Sequence, residues 1–434
     1  MDIVKQLCFL FKVCFIFSSE YLYLLFHVDN LKFLDRLTHR LASVNILYVK
    51  VFQAIALNNS LIDDKINNTL LKFTDNAPWS QCDIDVDTLN ALKDEYQLVI
   101  RDGIYNPINS GMISLVFKAT RISDDSNVII KIKRKNIEEK LEDAIDNLLF
   151  FMYILSFFPL IKKYQLAEVV NKNIDIIKHQ VNFDEEVQNL LTIKNNCKNL
   201  KYVKIPEVFK DVTDKYRNVI LMEQIDGVPI NKIEEEDYEE FAKQVLKFGF
   251  VTTLLHGVTH GDLHGGNILF IKDDNDKKHK HKIGVIDFGI IYEIDSHFKG
   301  IMLDTFTDFF NNSAEVTAEK LLYSGIIEPL ELVKTMSLEH RNNIIKISSE
   351  ILHDAIHNSQ YANQMQIYKF LLEFKKYISN PEISNLGLRP SDDFVKTQLV
   401  LAMSHGVTLT LCKDDYMTFA NKVINELFHT NMIM

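Results

Sequence analysis

Two short stretches constrain this chain more than anything else in it: His260-Gly-Asp262-Leu-His264-Gly-Gly-Asn267, and Asp287-Phe-Gly289, which begins twenty residues after Asn267. Phosphoryl transfer from ATP calls for a carboxylate that takes or orients the acceptor's proton, and for two oxygen ligands that hold Mg²⁺ on the phosphates. An Asp followed five residues later by an Asn, then an Asp-Phe-Gly at the end of a strand, supplies that set. The flanks agree, since Ile268–Phe270 and Ile283–Ile286 read as the two strands of a hairpin with the polar run Lys272–Lys282 as its tip. Taken singly, Asp-Phe-Gly is common in turns and Asp262 could cap a loop. Their joint spacing and strand context point to the catalytic half of an ATP site.

The charge balance narrows the partners. A net charge of −11 without a Lys/Arg stripe argues against nucleic acid, because binding there begins with phosphate neutralisation. The five cysteines (Cys8, Cys14, Cys82, Cys197, Cys412) lack C-x-x-C spacing, which speaks against a disulfide framework or zinc site and for a reducing, intracellular setting. Leu7–Phe26 is mostly apolar but interrupted by Lys12 and Glu20, so neither a clean membrane span nor a signal peptide is expected there. Two readings stay open for it: a helix buried against the fold, or one lying at a membrane surface.

Residues 1–73 carry helical periodicity, as in Leu31, Leu34, Leu37 and Leu41, and Asp75–Trp79 breaks it. Tyr96–Arg101, Ile113–Thr120 and Asn127–Lys133 read as strands separated by turn signals. Helix returns over about 137–195, where the apolar run Leu148–Leu155 is short for a span and suits a core helix; almost everything after Asp287 reads as helix. The fold class expected is α+β, two-lobed and protein-kinase-like. A helical N-terminal extension would occupy 1–95, a small β-rich lobe 96–222 with a helical insert at about 137–180, and a helical lobe 223–434.

The nucleotide-binding residues are sought in the β-rich part. Lys131 closes the apolar strand Val128–Lys131, where an ammonium can hold the α- and β-phosphates while a helix glutamate holds it in turn. Upstream, Asn109-Ser110-Gly111-Met112-Ile-Ser114-Leu-Val116 fits the G-x-G-x-x-G-x-V frame with glycine only at the middle position. Glu186 is the candidate partner for Lys131, with Glu185 as its neighbouring rival. Val219–Gln224 reads as a strand running into a hinge whose backbone at Glu223 and Gln224 would face the adenine. His279 and His281 suit a solvated hairpin tip better than a metal tract, and His260 and His264 suit orientation of the loop.

On these residues the chain resembles the UbiB/AarF family of atypical kinases, tied to ubiquinone biosynthesis, from about Leu41 to Leu322. Lys50-Val-Phe-Gln53 stands where that family has K-x-G-Q, and Pro107–Gly111 where it has an alanine-rich loop. Gln180-Val-Asn182-Phe-Asp-Glu-Glu186-Val-Gln-Asn189 is similar to its E-x-D-Y-x-x-E-A-x-N, a register that favours Glu186. Met222–Gly227 matches M-E-Y-I-D-G, and His260–Asn267 matches H-x-D-P-H-P-G-N. The resemblance implies ATP and Mg²⁺ as cofactors, Asp262 and Lys131 as catalytic residues, and Asn267 and Asp287 as metal ligands. It also implies an extension that brings Lys50 and Gln53 to the nucleotide and excludes protein substrates, and a lipid- or quinone-linked role with peripheral membrane contact. The chain departs from the family at Phe52 for glycine, at Gln180 and Asn182 for an acidic pair, and at Leu263 for proline; Gly261 replaces the arginine of most protein kinases. The catalytic stretch is also in the style of aminoglycoside and choline kinases, so a small-molecule hydroxyl kinase is the alternative, and a nucleotide-binding module without turnover is a third reading.

Overall fold

The structure, a computed structural model, describes residues 3–27, 29–45, 47–48, 77–155, 174, 177–311, 313–357, 386–412 and 416–429. The Lys50 and Gln53 element lies outside the described residues. The chain divides into two compact units, Met1–Gln188 with Pro206–Gln224, and Asn189–Ile205 with Ile225–Met434.

The first unit opens with two helices, α1 (Ile3–His27) and α2 (Asn30–Val44), the second started by Asp29, whose carboxylate accepts from the Lys32 N–H at 3.0 Å. Phe9, Val13 and Ile16 recur at steps of four and three, and this face buries against Leu37, Leu41, Ala42 and Tyr48. Glu20 continues the same face and is fully buried, with Arg36 at 2.8 Å and Arg40 at 2.5 Å. The opposite face of α1 exposes Val4, Leu7, Phe11, Phe15, Leu22, Leu25 and Phe26. By length and composition Val4–Phe26 could cross a membrane, at mean hydropathy 1.6.

A third helix, α3 (Val86–Glu95), leads into β1 (Leu98–Ile100), β2 (Asn109–Ser110), β3 (Ser114–Arg121) and β4 (Ser126–Lys133). The chain then forms α4 (Ile137–Leu155) and α5 (Phe183–Cys197), passes β5 (Val203–Lys204) and the short α6 (Lys210–Lys215), and returns as β6 (Val219–Glu223). The antiparallel sheet runs β1-β3-β4-β6, and β2 pairs with the start of β3. Period-two alternation decides the faces. Leu115, Phe117 and Ala119 of β3 and Val128, Ile130 and Ile132 of β4 enter one core with Val219 and Leu221, which turns Lys131 to the other face. Residues 84–95, expected as the end of the extension, put Ile84, Leu89 and Leu92 into this same core. The apolar stretch around Leu148 belongs to α4, where Leu148 is buried and Phe151 packs on the α1–α2 cluster.

In the second unit, α7 (Tyr238–Phe250) continues as a π-helical turn to His256, and Gly257 ends the run in the left-handed conformation (φ +72°) that glycine adopts without strain. From there β7 (Val258–His260), β8 (Ile268–Lys272), β9 (His281–Val285) and β10 (Ile291–Glu293) follow in sequence; β8 and β9 form the expected hairpin, β5 joins β9 in parallel, and β10 pairs with β7. The hairpin strands extend to the Lys272–His281 pair, so the tip shrinks to 273–280. Asp237 ties its base, accepting from Lys272 Nζ and His281 Nε2, each at 2.7 Å. Burial works against the Asp237 charge, but those two partners outweigh it and hold its carboxyl below the usual range. The helices α8 (Ser296–Asn311), α9 (Ala314–Tyr323), α10 (Leu330–Thr335), α11 (Leu338–His357), α12 (Asp392–Leu411) and α13 (Tyr416–His429) complete the unit. Their core includes Leu246, Phe250, Phe298, Met302, Leu321 and Phe394.

Candidate active site

The first unit gathers one half of the expected site. Lys131 Nζ lies 2.5 Å from Glu186 Oε1, with side-chain exposures of only 9% and 5%. Phe183, at the start of α5, sets its ring face 5.7 Å from the Lys131 ammonium. Of the two adjacent glutamates Glu186 is the buried one, whereas Glu185 is half-buried beside His179 at 3.1 Å. Asn182, standing where the similar motif has an acid, starts α5 instead: its amide oxygen accepts from the Glu185 N–H at 3.3 Å.

The glycine-type loop is the turn between β2 and β3. Its Gly111 N–H donates to the Ser114 carbonyl at 2.9 Å, and the Ser110 hydroxyl is buried and donates to the Ala77 carbonyl at 2.7 Å. Asn109 is exposed, Met112 is buried, and Val116 sits opposite Lys131 on the neighbouring strand. The Glu223 N–H donates to the Glu207 carbonyl and that of Gln224 to the Asn127 carbonyl, at 2.8 and 3.1 Å, which fixes the end of β6.

The second unit gathers the other half, Asp262, Asn267 and Asp287, around one imidazole. His260 is buried on β7, with its Nδ1 accepting from the Asp262 N–H at 3.1 Å and its Nε2 against the Asp287 carbonyl. A carbonyl accepts only, so Nε2 carries the proton and the ring is the neutral tautomer. Burial lowers the His260 pKa, and the opposing pull of the Asp287 and Asp262 charges does not reverse it. Asn267 Nδ2 donates to the Asp262 carbonyl at 2.9 Å, which aims the amide's oxygen end elsewhere. Asp287 Oδ1 accepts from the Gly289 N–H at 3.0 Å. His264 acts on its own loop, accepting from the Gly266 N–H at 3.1 Å.

Packing explains the glycine found where most protein kinases have arginine. A Cβ on Gly261 would stand 2.5 Å from Ile290 Cγ2 and 3.0 Å from Tyr292 Cε2, because the Gly261 N–H pairs with the Ile290 carbonyl at 2.8 Å. Two residues carry contacts to which the sequence assigns no role. Asn189 Nδ2 donates to the Phe288 carbonyl at 3.0 Å and so holds the Asp-Phe-Gly backbone. Arg134 grips the Gly111 carbonyl through Nε at 3.1 Å and Nη2 at 2.6 Å. The first closes the Gln180–Asn189 stretch and stands three residues after Glu186 on one helix face, and the second stands three after Lys131.

The donor chemistry suits a hard cation. An amide oxygen and a carboxylate are the ligand types Mg²⁺ takes alongside substrate phosphates. Among the described residues no group of three or more His, Cys, Asp or Glu forms a protein-only metal cage. A β-rich unit with a buried strand-lysine and helix-glutamate pair, and a helical unit with a His-Gly-Asp loop and an Asp-Phe-Gly, define an α+β protein of kinase-like fold. The model of the ABC1 atypical kinase-like domain matches residues 74–321, more than half of the chain, and the protein belongs to that family.

Relatives named "Probable protein kinase UbiB" are 24% identical over 310 residues in Blochmanniella pennsylvanica and 22% identical over 303 residues in Tolumonas auensis. Each match covers 68% of this chain, and the chain spans about half the length of these curated relatives (55% and 54%). Among solved structures, Rv3197 with erythromycin from Mycobacterium tuberculosis is similar at TM-score 0.44 and 16% identity, over 83% of this chain and 87% of that one. The Rio2 kinase complex with ADP/Mg²⁺ and phosphoaspartate from Chaetomium thermophilum gives TM-score 0.28 and 10% identity, over 77% of this chain and 95% of that one.

Proposed function

We propose that this chain binds Mg-ATP and either hydrolyses it or transfers its γ-phosphoryl group, in a lipid- or quinone-linked role. The observation that carries the reading is the buried Lys131–Glu186 pair, because an ion pair sealed from water costs desolvation and is hard to justify by stability alone. Lys131 holds the α- and β-phosphates, Glu186 keeps its ammonium in place, and the turn Asn109–Val116 covers the phosphates. The backbone at Glu223 and Gln224 meets the adenine. Asp262 takes or orients the proton of the attacking hydroxyl or water, its main chain set by His260 and its carbonyl by Asn267. Asn267 and Asp287 would hold Mg²⁺, which supplies charge neutralisation on the β- and γ-phosphates. By the family resemblance Lys50 and Gln53 add an element from the extension that keeps protein substrates out.

The lipid side of the proposal rests on α1. Its packed face is closed off with Glu20 inside, and its outer face presents the aromatic and aliphatic stripe Val4, Leu7, Phe11, Phe15, Leu22 and Leu25. A helix with one face fastened to its own protein and an apolar outer face suits the plane of a lipid surface.

The test is calorimetric binding of Mg-ATP to wild type and Asp287→Asn, followed by phosphate release with and without liposomes and with a panel of quinone-like phenols and aminoglycosides. Metal-dependent binding lost in the variant, with lipid-stimulated release in wild type, supports the proposal. Phosphorylation of an aminoglycoside selects the small-molecule kinase, binding without release selects the module without turnover, and equal Mg-ATP affinity in both proteins rejects the metal assignment.

A further inference from the structure

Arg134 is nearly sealed from solvent, its side chain 3% exposed, and it lies just past the end of β4. Among the described residues, its acceptors belong to two segments. Nε and Nη2 reach the Gly111 carbonyl, Nη1 reaches the Pro78 carbonyl at 2.8 Å, Nη2 reaches the Ala77 carbonyl at 3.4 Å, and Nη1 pairs with Asp83 Oδ2 at 3.4 Å. Five contacts for a fork of five N–H donors leave the guanidinium saturated. The residue's backbone N–H also donates to the Ile113 carbonyl at 2.9 Å. Arg134 therefore holds the carbonyls on both sides of Met112, the tip of the β2–β3 turn.

The other segment, residues 77–83, is fastened to the same place from several directions. The Ala77 N–H donates to the Ser110 carbonyl at 2.8 Å and the Ser110 hydroxyl donates back to the Ala77 carbonyl. The Lys135 N–H donates to the Asp83 carbonyl at 2.8 Å, and Lys140 Nζ pairs with Asp83 Oδ1 at 2.7 Å. A glycine-type loop with one glycine is thus locked at its base by Ser110 and at its tip by Arg134.

We propose that Arg134 is a positioning residue that keeps the turn Asn109–Ser114 in its closed conformation before any nucleotide arrives, and through that turn sets nucleotide affinity. It makes no contact with the reacting groups; it acts by removing the ordering that a flexible phosphate loop undergoes on binding. The affinity half rests on the Mg-ATP reading above, and the conformational half does not.

Hydrogen exchange on the nucleotide-free protein tests the second half alone. In wild type the Gly111 amide, which donates to the Ser114 carbonyl at 2.9 Å, should exchange slowly. Arg134→Lys, which replaces the planar fork with a single ammonium, should speed it at least ~10-fold while the amides of β4 and α5 keep their protection. In the same variant KM for ATP should rise ~10-fold with kcat within about twofold of wild type, a split that general destabilisation does not produce. Should Arg134→Lys fail to fold, Asp83→Ala removes one of the five contacts and should give the same exchange change in smaller measure. A folded Arg134→Lys protein with wild-type exchange at the Gly111 amide overturns the clamp, and so does unchanged exchange in Asp83→Ala if that is the only soluble variant. Faster exchange with unchanged KM overturns the affinity half. A wild type that binds no Mg-ATP overturns the function proposed above together with that half, while the exchange result still decides the clamp.

Discussion

Replacing Glu186 by Gln is the sharpest perturbation of this protein, because it keeps the shape of the side chain and removes one charge from a buried pair. Lys131 Nζ and Glu186 Oε1 stand 2.5 Å apart with side-chain exposures of 9% and 5%, so an ammonium that faces a neutral amide in place of the carboxylate has little water to make up the difference. Removing one member of such a pair costs about 3–5 kcal/mol. In a domain of 150–250 residues each kcal/mol moves Tm by roughly 2–4 °C, so Glu186→Gln should unfold about 6–20 °C below wild type in differential scanning calorimetry. The phosphates of a nucleotide would supply the negative charge that the variant lacks beside this ammonium. Mg-ATP should therefore raise the variant's Tm, by about 2.7 kcal/mol of stabilisation at a hundredfold excess over Kd. A variant melting within 2 °C of wild type, where ~6 °C or more is expected, would show that the pair does not carry the stability reasoned here. A loss unrelieved by Mg-ATP would separate the pair from nucleotide binding.

Three further outcomes are expected. Asp262→Asn should leave Mg-ATP affinity nearly intact in calorimetry while turnover falls about 10²–10⁴-fold, and full turnover would mean the proton leaves by another route. Gly261→Ala should destabilise the second unit by about 1–3 kcal/mol in urea titration, because its Cβ meets Ile290 Cγ2 at 2.5 Å; an unchanged midpoint would show that β10 yields freely. Burial lowers the pKa of His256 and His260 and holds His405 down to about 4. The unfolded chain then binds more protons than the folded one once the pH drops below about 6.5, so stability present at neutral pH is lost on acidification towards about 4. Tm should fall by several degrees between pH 7 and pH 5, and a flat profile over that range would refute the argument.

The parts of the site legible in the sequence are those whose chemistry and spacing are local. The Asp262-to-Asn267 step, the hairpin around it and the lysine closing an apolar strand are all of this kind. Glu186 and Glu185 could not be separated by composition, since they are identical side chains one position apart; burial of one against Lys131 and the placing of the half-buried other beside His179 distinguish them. The roles of Asn189 and Arg134 were illegible for a different reason. Apart from the Asp83 carboxylate, their acceptors are main-chain carbonyls, at Phe288 and at Ala77, Pro78 and Gly111, and a carbonyl has no residue type to be recognised by. The helix α3 was read as part of an extension because its own ten residues cannot reveal that Leu89 and Leu92 fill the core of a sheet formed later in the chain.

The single imidazole that joins the Asp262 backbone to the Asp287 carbonyl has a use outside chemistry. An imidazole N–H buried in a hydrogen bond exchanges slowly with solvent, so the His260 Hε2 proton should stand apart downfield in a proton NMR spectrum. The other ring nitrogen, Nδ1, should carry the ¹⁵N shift of an unprotonated nitrogen. The two signals together give a reporter on whether the His260–Asn267 loop and the Asp-Phe-Gly are assembled, readable without substrate, metal or turnover.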